Sequence, residues 1–175
     1  MKKNSRGYIQ VYTGDGKGKT TAALGLAVRA SGHGLKTYIG QFMKGQHYGE
    51  LSALSDSRHI TIEQYGDTNH VRRDEVTQAQ IDQALEGLAR AREAMLSGEY
   101  DIIVLDEINV AVWFDLIPAD DVLALLDHRP DRVEIVLTGR RAPAALIERA
   151  DLVSEMKEIK HYYNDGVTAR NGIER

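Results

Sequence analysis

The chain has 175 residues and contains no cysteine. This absence excludes disulfides, thiolate-bound iron–sulfur clusters and cysteine nucleophiles, and it suits a reducing cytoplasm. No apolar run reaches the roughly 18 residues of a transmembrane helix, and none follows the basic amino terminus as a signal peptide would require. We therefore expect a cytoplasmic protein without a membrane span. With only three prolines and no low-complexity linker, we also expect a single domain over residues 1–175.

Neither the charge nor the histidines point to a nucleic acid or a zinc ion. The formal net charge is −4, and no basic stripe with interleaved aromatic residues occurs, so we expect no nucleic-acid partner. The six histidines are scattered without the spacing of a zinc site. A hydrophobic content of 42% is ordinary for a globular protein and provides for a proper core.

A glycine-rich stretch lies between a predicted strand, Tyr8–Tyr12, and a predicted helix from about Lys19 to Ser31. Glycines let the backbone approach a ligand closely, and the unpaired amides at a helix start attract anions. A lysine in this loop supplies a cation, and the threonine after it supplies a hydroxyl that can reach magnesium. The residues predicted to bind nucleotide phosphate are Gly14, Asp15, Gly16, Lys17, Gly18, Lys19, Thr20 and Thr21.

This stretch departs from the general phosphate-loop pattern, which has a glycine, four residues and then Gly-Lys-Thr. Thr13 stands where the first glycine should be, and Gly14 comes one place late, so we expect a shorter or differently wound loop. The alternative is a plain glycine-rich turn beside a lysine. The strand before it and the helix after it favour a nucleotide triphosphate site.

An acidic pair follows the most apolar predicted strand. Ile102–Leu105 is a continuous apolar run, typical of a strand buried on both faces of a parallel sheet, and Asp106 and Glu107 come directly after it. Such carboxylates either hold a hydrated magnesium ion or favour a helix start electrostatically. Together with the glycine loop we favour the metal role, with Thr20, Asp106 and Glu107 as the candidate metal residues.

Two cationic residues follow other predicted strands. Lys44 comes after strand Lys36–Phe42, and its local sequence favours a solvated loop lysine. Arg140 comes after strand Val133–Thr138, and it is either a triphosphate contact or a surface arginine. Parallel strands share a carboxyl edge, where open α/β folds bind ligands. We expect the ends of the first, second, fourth and fifth strands to meet there.

The remaining segments complete an α/β prediction. Thr77 and Gln80 form a capping box at the start of a long amphipathic helix. Trp113 is predicted to be a core residue, Leu152–Ile159 a last strand, and residues 160–175 a tail that lies over another part of the protein. We predict three α/β/α layers around a mainly parallel sheet of five or six strands, as in RecA-like phosphate-loop NTPases.

Four segments together resemble one known family. They read VYTGDGKGKTTAALGLAVRASGHG, QFMKG, YDIIVLDEINVAV and VLTGRRAPAALIERADLVSEMKEIKHYYNDGVTARNGIE. In this order, and over nearly the whole chain, they resemble the ATP:corrinoid adenosyltransferases of the cobalamin pathway that have a phosphate-loop fold. The shifted loop TGDGKGKTT is the most specific element, because it departs from the general motif as this family does.

The resemblance implies a reaction in which cobalt(I) of a corrinoid attacks C5′ of ATP and expels triphosphate. It implies that residues Gly14 to Thr21 and Mg²⁺ hold the triphosphate, with Lys19, Glu107 and Arg140 as the catalytic residues. The substrates would be ATP and a corrinoid. A homodimer is expected by resemblance, and an electron-donor protein such as a flavoprotein is a possible partner.

One region departs from the family. Many members have a Trp-Glu-Thr stretch that presses an aromatic ring on the corrinoid, whereas this chain has YGDTNHVRRD there. Tyr65, His70 and Trp113 are the candidate replacements. Two other functions stay open at this point: an ATPase with Glu107 as the base for water, and a module that binds ATP and a corrinoid without turnover.

Overall fold

The structure is a computed structural model that describes residues 6–67 and 72–174. Its centre is a six-stranded sheet in which every pair of neighbouring strands is parallel, in the order β3-β2-β4-β5-β1-β6. This confirms the predicted α/β class and the upper strand number. The strands are β1 Ile9–Thr13, β2 Thr37–Phe42, β3 Ile60–Tyr65, β4 Ile102–Asp106, β5 Glu134–Thr138 and β6 Leu152–Glu155.

Helices cover both faces of the sheet, because parallel strands need crossover connections. One face packs the alanine-rich side of α1 against Ile39, Val104 and Val136, and the other packs α3 to α6 over Ile103, Leu105 and their neighbours. The helices are α1 Lys19–Ser31, α2 Gly49–Leu54, α3 Gln78–Leu96, α4 Ile108–Trp113, α5 Ala119–Asp127 and α6 Ala144–Arg149, with short 3₁₀ turns at Arg73–Glu75 and Tyr162–Asp165.

Local sequence explains these boundaries well. All five residues of β4 are buried, as its apolar run predicts for a central parallel strand. The predicted capping box is present, since Thr77 accepts from the amide of Gln80 and the Gln80 side chain accepts from the amide of Thr77. Among the described residues no helix has the length and apolar character to cross a membrane.

Two expectations need correction. The last strand ends at Glu155, well before Ile159, because Met156 and Lys157 turn to run along the glycine-rich loop. Trp113 is not a core residue: 36% of its surface is exposed at the end of α4. The six-residue α4 has one buried side, formed by Ile108, Asn109 and Ala111, and Trp113 lies off that side.

Candidate active site

The glycine-rich loop joins β1 to α1 at the carboxyl edge of the sheet. Gly14 and Gly18 have positive φ angles of 95° and 115°, which favour glycine. The loop is also pressed by the chain that follows β6: a Cβ on Gly14 would lie 2.4 Å from the carbonyl oxygen of Met156, and one on Gly16 would lie 2.7 Å from it. Two glycines of the loop are therefore required by a neighbouring backbone, independently of any ligand.

Lys19 lies inside this loop. Its Nζ donates to the carbonyl oxygens of Gly14 and Gly16, both at 2.7 Å, and the residue is buried. Burial lowers the pKa of Lys19, and Arg140 adds to that effect, while Glu107, Asp15 and Asp106 oppose it. The ammonium is held by carbonyl groups, which an anionic ligand with stronger acceptors can replace.

Asp106 is the hub of the polar network at the end of β4. Its Oδ1 accepts from the hydroxyls of Thr20 at 2.8 Å and Thr138 at 2.7 Å. Its Oδ2 accepts from the ammonium of Lys44 at 2.7 Å and, more distantly, from the amide of Gln41 at 3.4 Å. Both oxygens of this buried carboxylate therefore act as hydrogen-bond acceptors.

Sequence patterns did not indicate three of these contacts. Lys44 is not a solvated loop lysine, because only 13% of its side chain is exposed and its ammonium pairs with Asp106. Gln41 pairs with Asp106 in the parallel register of β2 and β4, and Thr138 follows the register pair Leu105 and Leu137 by one residue. These contacts depend on strand order, which local sequence does not contain.

Glu107 caps α4 in the left-handed conformation, with φ 63°. Its amide donates to the hydroxyl of Thr138 at 3.0 Å, so one threonine fixes both acids. Burial raises the pKa of Glu107, as does the neighbouring Asp106, and the cations Lys44, Lys19 and Arg140 offset part of this. The carboxyl group is thus held beside the glycine loop at an energetic cost to the folded state.

Unusual backbone conformations cluster at this edge of the sheet. Met43, Glu107 and Arg141 all have positive φ, and they follow β2, β4 and β5. Residues other than glycine seldom adopt this region, and such strain concentrates at functional sites. In each of the three turns, either the residue with positive φ or its neighbour is charged, and the turn places that charged side chain at the carboxyl edge of the sheet.

A cavity of about 610 Å³ opens between the glycine loop, the strand ends and the carboxyl-terminal tail. The ends of β1, β2, β4 and β5 meet here, as predicted. Of the predicted site residues, this wall includes Gly16, Lys17, Gly18, Lys19, Thr20, Thr21, Glu107 and Arg140, whereas Gly14, Asp15 and Asp106 lie outside it. Lys44 also belongs to the wall, so four cationic side chains face the cavity.

The carboxyl-terminal tail closes one side of the cavity. His161, Gly172, Ile173 and Glu174 line it, and Nζ of Lys17 donates to the carbonyl oxygen of Ile173 at 2.9 Å. This confirms that residues 160–174 lie over another part of the protein. Glu174 accepts from Arg170 and Tyr162, which lower the pKa of its carboxyl to about 2 and tie the tail into a compact turn.

The donor atoms near Thr20 suit a magnesium ion. A hydroxyl and carboxylates are the hard oxygen ligands that Mg²⁺ takes, and phosphate oxygens and water ordinarily complete its shell. Thr20 and Glu107 face the cavity, with Asp106 directly behind Thr20. Within residues 6–67 and 72–174, no cluster of three histidine, aspartate or glutamate side chains forms a metal cage.

The three candidate aromatic contacts for a corrinoid differ in their surroundings. Tyr65 is fixed in place, because its hydroxyl bonds Glu63 and Tyr38 and its ring packs on Gly87. His70 lies outside the described residues. Trp113 is partly exposed, and its ring lies 4.7 Å from the guanidinium of Arg141 and 5.4 Å from that of Arg73.

Comparison with known proteins agrees with this geometry. The chain is 35% identical to a corrinoid adenosyltransferase of Escherichia coli over 98% of this chain and 87% of that protein. It is 35% identical to the corrinoid adenosyltransferase CobA of Salmonella typhimurium over 97% of this chain and 86% of that protein. It is 33% identical to a corrinoid adenosyltransferase of Pseudomonas aeruginosa over 98% of this chain and 85% of that protein. Residues 5–175 match the family described as ATP:corrinoid adenosyltransferase BtuR/CobO/CobP. The chain therefore belongs to the ATP:corrinoid adenosyltransferase family.

Proposed function

We infer that this protein transfers the 5′-deoxyadenosyl group of ATP to the cobalt(I) of a corrinoid and releases triphosphate. Membership of the family supports the reaction class. The observation that carries the inference for this chain is the cavity itself, in which Lys17, Lys19, Lys44 and Arg140 surround a glycine-rich helix start. Such a site is complementary to a polyphosphate, both as bound group and as leaving group.

The reaction needs the triphosphate to leave with the electron pair of the C5′–O bond, while cobalt(I) supplies the pair for the new Co–C bond. Negative charge therefore grows on the triphosphate in the transition state, and cations placed around it lower the barrier. We assign this role to Lys19 and Arg140. Lys19 has to exchange its bonds to the carbonyl groups of Gly14 and Gly16 for bonds to phosphate.

Magnesium would be held by Thr20 and Glu107, with Asp106 behind them. When bound with ATP, the ion supplies charge neutralisation to the leaving triphosphate. Asp106 fixes the Thr20 hydroxyl by accepting its hydrogen bond at 2.8 Å, and Thr138 fixes Asp106 and the backbone of Glu107. The protein residues thus present a prearranged set of oxygens beside the glycine loop.

For the corrinoid contact we propose Trp113. Its side chain is partly exposed, and its ring contacts Arg141, the residue that follows Arg140 in the chain. An indole ring offers a large flat apolar surface, and the two guanidiniums beside it suit the polar groups around a macrocycle. We also propose a homodimer in the cytoplasm, with a reducing protein such as a flavoprotein as electron donor.

One observation favours hydrolysis as a second candidate function. A partly buried carboxyl whose pKa is raised, such as Glu107, is also suited to act as a base toward water. Hydrolysis would release ADP and phosphate, whereas adenosyl transfer releases triphosphate. The phosphate product therefore separates the two candidates.

The test is an anaerobic reaction of the protein with ATP, Mg²⁺ and chemically reduced cob(I)alamin, followed by the corrinoid spectrum and by phosphate analysis. We expect adenosylcobalamin and triphosphate in equal amounts. Lys19→Ala should abolish transfer and keep the native circular-dichroism spectrum. Lys36→Ala, before the amino end of β2, is the matched lysine control and should react normally. ADP and phosphate with an unchanged corrinoid would identify an ATPase.

A further inference from the structure

The ammonium of Lys44 lies where the candidate metal oxygens converge. It is 2.7 Å from Oδ2 of Asp106 and 3.4 Å from Oγ1 of Thr20. These are two of the three side chains that the sequence assigns to magnesium, and the third, Glu107, acts on Lys44 electrostatically. Lys44 thus neutralises the same group of oxygens that a divalent cation would neutralise.

The backbone around Lys44 is built to place it there. Met43 leaves β2 in the left-handed conformation, with φ 56°, and its amide donates to the carbonyl oxygen of Tyr65 at 3.0 Å. A Cβ on Gly45 would lie 2.3 Å from the carbonyl oxygen of Gly66, and one on Gly66 would lie 2.5 Å from the amide nitrogen of Lys44. The two loops therefore fit closely only with glycine at both positions, which fixes the start of the lysine side chain.

The charge of Lys44 is balanced where it lies. Its ammonium pairs with the carboxylate of Asp106 at 2.7 Å, and only 13% of the Lys44 side chain is exposed. The four-carbon stem can swing the ammonium to other acceptors without backbone movement. In its present position the ammonium also lies 5.1 Å from the ring of Tyr48, which adds a favourable contact on the cavity side.

We propose that Lys44 is a positioning residue that acts as a built-in counter-ion: its ammonium and the divalent metal are alternative occupants of the space beside the oxygens of Thr20, Asp106 and Glu107. Two cations cannot share these oxygens at contact distance without strong repulsion. When metal and ATP bind together, the ammonium moves from Asp106 to the triphosphate, which lies on the same cavity wall. Without nucleotide the metal binds weakly, because the ammonium displaced from Asp106 then has no other anion with which to pair. The inference rests on the proposed function in taking metal·ATP as the ligand.

The experiment measures binding of Mn²⁺, as a paramagnetic substitute for Mg²⁺, by electron paramagnetic resonance with and without ATP. For Lys44→Met without nucleotide, we expect Mn²⁺ to bind about tenfold more tightly than to the wild type, because the competing cation is gone. The same variant should bind tripolyphosphate more weakly by a similar factor. Lys44→Gln provides a second neutral variant, and Lys44→Arg keeps the charge and should keep Mn²⁺ binding weak.

Lys17→Met is the matched control, because Lys17 lies on the same cavity but bonds Ile173 rather than Asp106. It should weaken tripolyphosphate binding and leave Mn²⁺ binding without nucleotide unchanged. Unchanged or weaker Mn²⁺ binding in both neutral variants, with native circular dichroism, would overturn the counter-ion role. If the wild type binds ATP and Mn²⁺ together, that failure leaves the proposed function standing. A wild type that binds neither would overturn both.

Discussion

The amide of Gly16 donates to the carbonyl oxygen of Met156 at 2.7 Å, which joins the glycine-rich loop to the chain that leaves β6. This contact lies between segments 140 residues apart in the sequence. It explains why the loop is glycine at this position, since a Cβ would also lie 2.8 Å from the carbonyl of Lys157. The loop and the tail are therefore parts of one structure, and we expect a change in either to affect nucleotide binding.

Gly16→Ala should reduce both stability and ATP affinity. The added methyl group meets backbone atoms, which cannot rotate away, so we expect a loss of about 1–3 kcal/mol in the free energy of unfolding. Gly25→Ala is the control, because nothing lies within 4 Å of its added Cβ within α1. That variant should be stabilised by about 0.5–1 kcal/mol. Equal effects of the two substitutions in urea titrations would contradict the assigned contact.

Thr138→Val should weaken the acidic pair. The hydroxyl donates to Asp106 and accepts from the amide of Glu107, so its loss removes one of the two donors to Oδ1 of Asp106, leaves the Glu107 amide without this acceptor and costs about 1–3 kcal/mol. Thr37→Val is the matched control: Thr37 is equally buried, and its hydroxyl has no hydrogen-bond partner among the described residues. It should be neutral or slightly stabilising. Thermal unfolding tests this: the midpoint of Thr138→Val should lie below that of the wild type, and the midpoint of Thr37→Val should not.

Glu107→Gln should stabilise the protein without ligands at neutral pH. The folded-state pKa of Glu107 lies above its ordinary value of 4.5, so the folded protein takes up this proton more readily than the unfolded chain. Stability from this group therefore falls as pH rises from about 4.5 through the folded pKa, and the penalty is complete above it. The variant should unfold at a higher temperature than the wild type at pH 8, with the difference vanishing near pH 4.

Glu148→Gln, an exposed change on α6, is the control for this experiment and should follow the wild type at both pH values. The functional role of Glu107 predicts the opposite trend in binding. Glu107→Gln should bind ATP with Mg²⁺ at least about tenfold more weakly, since the proposed metal ligand is lost. A variant that is destabilised at pH 8 would refute the burial penalty, and unchanged Mg²⁺ dependence would remove Glu107 from the metal site.

Trp113→Ala should affect ligand binding more than stability. With 36% of the residue exposed and two guanidiniums as neighbours, we expect a stability loss on the order of 1 kcal/mol. Leu146→Ala, at a fully buried residue, should cost about 2–5 kcal/mol and shows how a core position behaves. Corrinoid affinity, followed by equilibrium dialysis, should fall in Trp113→Ala and stay unchanged in Trp113→Phe, while ATP affinity stays unchanged in both. Normal corrinoid affinity in Trp113→Ala would exclude the ring from that site.

Most of the fold was predictable from local patterns. The apolar run before Asp106 identified a central strand, and the capping box at Thr77 identified the start of α3, because both depend on neighbouring residues alone. The carboxyl ends of the predicted strands indicated the edge of the sheet where the cavity lies. The sequence indicated a glycine-rich phosphate-binding loop. It did not indicate the second reason for these glycines, which is that Met156, from a segment far along the chain, lies against the loop.

The parts that were missed depend on strand order and on surroundings. Lys44 has the local sequence of a solvated loop lysine, and it becomes a largely covered ion-pair partner of Asp106 because β2 lies next to β4. Thr138 supports the acidic pair because β5 is the other neighbour of β4. Trp113 is exposed because it lies off the side of α4 that packs against the protein. None of these neighbours is encoded in the spacing of residues along the chain.

The most direct test of the central claim follows the bond that breaks in ATP. ATP is prepared with a heavy-oxygen label at the bridging atom between C5′ and the α-phosphorus, and it reacts anaerobically with the protein, Mg²⁺ and cob(I)alamin. The account predicts that the label leaves in triphosphate, because cobalt attacks carbon and the C5′–O bond breaks. Label retained in ADP or AMP, with phosphate or diphosphate as the other product, would show cleavage at phosphorus and would contradict adenosyl transfer.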